Sequence, residues 1–172
     1  MRPISALGAA VVTAAACMLA GSAHAGTAHA DGQNGPYGCY GFGRVMLSPA
    51  VTMSPQEGTV RFAQNLGPCH LSDGSVRSGT LTGTGRGTFS CVSGSGTAQY
   101  LTRWENGRTS AGTFSFSTYG SNISGTGTVG QGEFAGDRFG VGGELNPGDP
   151  SACTGGGVKE ADSYEEIGIS GG

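Results

Sequence analysis

His70, Ser72 and Asp73 stand within four residues in Cys69-His70-Leu71-Ser72-Asp73-Gly74, and a serine, a histidine and an acid are the parts of a nucleophilic triad. A triad needs those groups to converge from separate segments, whereas one short stretch supplies all three here. Ser72-Asp73-Gly74 reads instead as turn chemistry, in which short polar side chains bond their own backbone and glycine accepts the bend. Ser93-Gly94-Ser95-Gly96 lacks the strand-to-helix setting of a nucleophile elbow. Paired carboxylates are the other hydrolytic device, with one group as acid and one as base or nucleophile. Glu57, Glu105, Glu133, Asp137 and Glu144 are the candidates, and Glu133 with Glu144 is the pair that best suits a glycosidase reading. An odd separation puts two residues on opposite faces of an unbroken strand, so this pair meets only if Gly136, Gly140, Gly142 or Gly143 breaks it. No catalytic residue is therefore assigned, and Glu133→Gln and Glu144→Gln are expected to leave folding intact.

Binding chemistry is more open. Gly125-Thr126-Gly127-Thr128-Val129-Gly130 matches the dinucleotide fingerprint letter for letter. That motif works by placing a pyrophosphate at a helix N-terminus, and no helical pattern follows it. No cofactor is expected. Tyr37, Tyr40, Phe42, Tyr100, Trp104 and Tyr119 could form an aromatic strip for sugars, and Tyr40, Tyr100, Trp104 and Tyr119 are the candidate binding aromatics. A single Trp excludes a cage built of several tryptophans. The net charge is −3, which offers nucleic acid no basic stripe. Glu160, Asp162, Glu165 and Glu166 make the C-terminal end acidic, which reads first as a solvated face and second as a cation patch. Asn122-Ile123-Ser124 is an N-glycosylation triplet, relevant only in a host that uses it.

Cysteine usage points to an oxidising compartment. Cys39, Cys69, Cys91 and Cys153 follow the N-terminal segment, with no Cys-x-x-Cys among them, so a disulfide framework is expected and a metal site is not. Four cysteines allow three pairings. The preferred pairing is Cys39 with Cys69 and Cys91 with Cys153, because the first would join the start of one strand to the end of its antiparallel neighbour. The chain also opens with Arg2, an uncharged apolar run from Ile4 to Ala20, and the sites Ala23-His24-Ala25 and Ala28-His29-Ala30. That order is a secretory signal peptide, cleaved near Ala25 or Ala30. Ala14-Ala15-Ala16-Cys17 fits a lipoprotein signal loosely, without the usual leucine. No other apolar stretch is long enough to span a membrane as a helix.

The elements that must position these residues read as strands. Gly accounts for 35 of 172 residues, interleaved with Thr, Ser, Val, Phe and Tyr, which favour strands. Period-two runs are expected over residues 39–47, 59–64, 78–84, 87–92, 98–104, 109–118, 122–129, 133–145 and 158–169, about nine strands. Glu105-Asn106-Gly107-Arg108 predicts a hairpin, with Asn-Gly at the two positive-φ positions of a type I′ turn. Gly87-Thr88-Phe89, Gly112-Thr113-Phe114 and Gly132-Glu133-Phe134 share Gly-x-Phe at unequal intervals, which fits a meander in which each Phe enters the core. Gly-Thr alternation, as in Gly79 to Gly85, leaves one strand face nearly without side-chain volume for neighbouring aromatics to cover. The expected fold is all-β, an antiparallel meander barrel of about eight to ten strands, with a two-sheet sandwich as the alternative. Residues 1–30 form the leader, 31–37 a flexible lead-in, and 38–172 a single domain with two disulfides.

As a set, the Ala-rich leader, Cys39, Cys69-His70-Leu71-Ser72-Asp73-Gly74, Phe89-Ser90-Cys91, the Trp104 hairpin and Cys153 resemble the small secreted Gly/Thr-rich, four-cysteine β proteins of actinobacteria. The resemblance implies location and fold and carries no active residues. The leading expectation is a secreted, monomeric, non-enzymatic binding or interaction protein with an extracellular or cell-envelope partner. A structural component of the envelope and a carboxylate-dependent polysaccharide hydrolase are the alternatives.

Overall fold

The structure is a computed structural model and describes residues 38–70 and 76–170. The leader assigned to residues 1–30, Cys17, the lead-in and the Ser72-Asp73-Gly74 turn lie outside the described residues. Eight strands run in chain order: β1 (Gly38–Val51), β2 (Gln56–His70), β3 (Val76–Phe89), β4 (Ser93–Trp104), β5 (Thr109–Tyr119), β6 (Asn122–Gly132), β7 (Arg138–Asn146) and β8 (Val158–Ser170). A short 3-10 turn, Pro150–Thr154, precedes the last strand. Each strand pairs antiparallel with the next, and β8 pairs back onto β1, so the sheet closes into a barrel. Among the described residues no helix is long and apolar enough to cross a membrane.

Strict alternation builds the wall. On β8, Ala161, Ser163, Glu165, Ile167 and Ile169 are buried, while Glu160, Asp162, Tyr164 and Glu166 face out. β3 is one strand where two were expected, because Gly85-Arg86-Gly87 resembles a turn. Gly85 and Gly87 instead keep the inward phase and pair with Ala98 and Gly96 of β4. The β4–β5 connection also departs from the expected type I′ turn. Only Gly107 is left-handed (φ +81°), and its N–H donates to the Trp104 carbonyl at 2.9 Å. That is a type I turn followed by a left-handed glycine, the next most common hairpin solution.

Inward glycines let aromatic rings of the adjacent strand settle over the wall: Phe62 is the register partner of Gly83, and Tyr100 of Gly112. A Cβ on Gly83 would run into the Phe62 ring, and one on Gly112 would sit 2.9 Å from the Tyr100 hydroxyl. Tyr100 stacks on Phe139 with ring centroids 4.4 Å apart, and Phe114 lies 5.3 Å from the same ring. At one end the barrel is closed by Trp104 and Phe134, edge to face at 5.8 Å. Trp104 Nε1 donates to Ser110 Oγ at 2.9 Å, and Ser110 Oγ donates to the Glu133 carbonyl at 2.6 Å, so the buried indole N–H is satisfied. The disulfides join Cys39 with Cys69 at this end and Cys91 with Cys153 at the other. For loops of 30 and 62 residues the chain-entropy estimate is about 4 kcal/mol each.

Candidate functional site: an apolar cavity with one buried carboxyl

An eight-stranded barrel is just wide enough to be filled by side chains or to hold one small ligand. Which of these results depends on side-chain volume, and this chain spends much of its inward phase on glycine. Toward the end opposite Trp104 the interior is left partly empty, as a cavity of about 310 Å³. Its walls are Val45, Val60, Phe62, Leu81, Phe114 and Val141, among other apolar side chains. Its mouth is ringed by residues of the turns: Ser90 and Cys91 after β3, Gly120 and Ser121 after β5, and Pro147 and Cys153 before β8. The Cys91–Cys153 disulfide therefore ties two sides of the mouth together. Met53, Val92 and Tyr119, also in or beside the connections at this end, are exposed and add apolar surface there.

Among the described residues one ionisable side chain lines the cavity. Glu165 is only 8% exposed, although it stands in the most acidic stretch of the chain. Its phase on β8 is that of Ile167 and Ile169, so closure of the barrel carries it inward. Gln64 of β2, 2% exposed, meets it from across β1. Gly43 of β1 pairs with Gln64 on one side and Ser163 on the other, so these residues lie abreast on three neighbouring strands. Strands two apart are separated by about 9–10 Å, a gap a glutamine side chain bridges only where the middle strand offers no side chain. Gln64 Nε2 donates to Ser163 Oγ at 2.6 Å and to Glu165 Oε1 at 3.2 Å. Gln64 Oε1 is buried without a partner among the described residues. Burial pushes the Glu165 carboxyl from 4.5 up to about 7, because an ionised group loses its water there and gains a single amide donor in return.

The residues singled out from sequence are dispersed. Tyr100 and Trp104 are buried in the packed core, because each sits in the inward phase of β4. Tyr119 is exposed in the outward phase at the end of β5, beside the mouth. Tyr40 is exposed on the outer face, next to Phe42, whose register partner on β8 is Tyr164. Tyr40, Phe42 and Tyr164 are 61%, 54% and 62% exposed, so Tyr40 and Phe42 of the expected strip share an outer aromatic patch with Tyr164, while Tyr100 and Trp104 do not reach it. Glu133 lies in the β6–β7 connection at the closed end, ion-paired to Arg77 and, at 3.3 Å, to Arg108. Glu144 is exposed on β7, so the two acids do not share a cleft. His70 is exposed at the end of β2. The acidic stretch does not form one patch: Arg44 pairs with Glu160 at 2.7 Å and with Asp162 at 3.5 Å, while Glu165 is inside. The fingerprint Gly125–Gly130 lies within β6.

Gln64, Ser163 and Glu165 were not singled out as a site, although period two marks Glu165 as an acid in an apolar phase. No protein-family model, curated protein or solved structure matches the chain.

Proposed function

We propose that this is an exported, non-enzymatic binding protein that carries one small apolar molecule inside the barrel. The cavity is the observation that supports it: about 310 Å³, apolar on nearly all sides and opening among turns held by a disulfide. Ligand pockets typically begin near that volume. At roughly 30 Å³ per non-hydrogen atom, the share of a water molecule in the liquid, the space takes about ten such atoms. A ligand of that size has a dissociation constant of about 1–100 μM when apolar contact dominates. Two disulfides suit a chain that works outside the cell, in keeping with the signal-like leader. The actinobacterial resemblance belongs to the same reading.

Calorimetric titration with methylnaphthalene tests it. Binding in the micromolar range is expected for the wild type. Loss of binding is expected for Ala161→Phe, which places a ring in the cavity from β8. A folded wild type that takes up no apolar probe, or an Ala161→Phe protein that binds unchanged, would overturn the proposal.

The outer patch supports a second reading, contact with an envelope polysaccharide. Phe42 and Tyr164 stand opposite each other on adjacent strands, with flat faces available to sugar rings. Co-sedimentation with purified cell-wall polysaccharide, lost in the Phe42→Ser/Tyr164→Ser protein, would favour it.

A further inference from the structure

We propose that the carboxyl in the cavity wall selects the ligand's head group: the barrel takes apolar molecules bearing an amine or an alcohol, presented to Glu165, and rejects matched carboxylates. This rests on the cavity being the ligand site. The chemistry follows from counting donors and acceptors. Glu165 Oε1 receives one N–H from Gln64, and no described side chain donates to its other oxygen. Both N–H groups of Gln64 are committed, one to Ser163 Oγ and one to Glu165. The amide oxygen of Gln64 is itself a buried acceptor without a partner. Beside these acceptors the one uncommitted donor of the cluster is the Ser163 hydroxyl hydrogen, so this side of the barrel has more acceptors than donors once Glu165 is ionised. Among the described residues no arginine or lysine lines the cavity to receive an anion. A carboxylate ligand would set like charge against Glu165 in a water-poor space, whereas an N–H or O–H fills the open acceptor position.

Apart from Ser90, Thr118 and Ser121 the remaining lining is apolar, so the head group beside Glu165 is the discriminating part of the ligand and its body is held by area. Hydrogen bonds to a charged group are the stronger kind, and an unpaired buried acceptor is costly. A donor on the ligand gains on both counts, which corresponds to a preference of at least about tenfold over the plain hydrocarbon.

The test is calorimetric titration, at a pH about one above neutrality, of methylnaphthalene, naphthylmethanol, naphthylmethylamine and naphthoate. The wild type and Glu165→Gln are compared. The expected wild-type order is amine and alcohol tightest, hydrocarbon at least about tenfold weaker, and naphthoate weakest. In Glu165→Gln the amine should fall to within about threefold of the hydrocarbon, and naphthoate should gain. Continued binding of methylnaphthalene by the variant shows that its barrel is folded and its cavity open. Hydrocarbon, amine and carboxylate binding alike to the wild type would overturn the head-group selection and leave the apolar-carrier reading standing. An unchanged order in Glu165→Gln would also overturn the selection. Failure of all four probes would overturn both.

Discussion

Glu165 should make the protein lose stability as pH rises through neutrality, and the size of that loss follows from its burial. The carboxyl is held up to about 7 in the folded chain against 4.5 without the fold. Below the lower value folded and unfolded chains both keep the proton, and the group adds no pH dependence. Between the two values the unfolded chain releases a proton that the folded chain retains, so stability falls with rising pH. Above the upper value both are ionised, and the fold carries a carboxylate served by one amide donor. One pKa step corresponds to about 1.4 kcal/mol, so the loss across this window is about 3 kcal/mol. Urea unfolding with the disulfides intact, followed by Trp104 fluorescence, measures it. Subtracting Glu165→Gln from the wild type at each pH removes the contributions of other titrating groups. The variant should match the wild type within about 1 kcal/mol near pH 4.5 and exceed it by about 3 kcal/mol near pH 8. A difference that stays flat with pH, or a wild type that gains on the variant as pH rises, would refute the burial argument. A donor-bearing ligand added near pH 8 should recover part of the loss, because it pairs the charge only in the folded state.

Gly83→Ala should destabilise by about 1–3 kcal/mol, since a Cβ there meets the Phe62 ring and the Gln99 carbonyl. Gly140→Ala, where an added Cβ meets nothing within 4 Å, is the matched control, and thermal unfolding separates the two. Glu133→Gln should cost about 1–3 kcal/mol by weakening the half-buried pairing with Arg77, while Glu144→Gln on the exposed face should stay within about 0.5 kcal/mol. Both variants should still fold, and denaturant midpoints that agree for the two would refute the difference in burial.

Period two and turn chemistry were enough to read an all-β meander, because those signals depend only on neighbouring residues. They failed where one residue type has two uses. Gly85 and Gly87 resemble turn glycines in sequence, yet each is an inward wall position against β4. Asn106-Gly107 resembles a type I′ turn, yet only its glycine is left-handed. Glu165 was legible in principle. Read by phase it stands with Ile167 and Ile169; read by composition it joins an acidic run whose other members face solvent or pair with Arg44. Gln64 likewise shares the phase of Val60 and Phe62. The cavity is less legible, because it is a sum taken around a closed circle. Gly83 and Gly112 are covered by Phe62 and Tyr100, and stacking of Tyr100 on Phe139 fills part of the barrel. The cavity lies beyond those stacked rings, and among the described residues its one lining glycine is Gly120 of the turn after β5. The glycine content that suggests a thin core thus has a second physical meaning. It lets neighbouring rings settle onto the wall, as Phe62 does at Gly83 and Tyr100 at Gly112, and the cavity is bounded where those rings and the branched side chains of Val45, Val60 and Val141 leave the centre of the barrel unfilled.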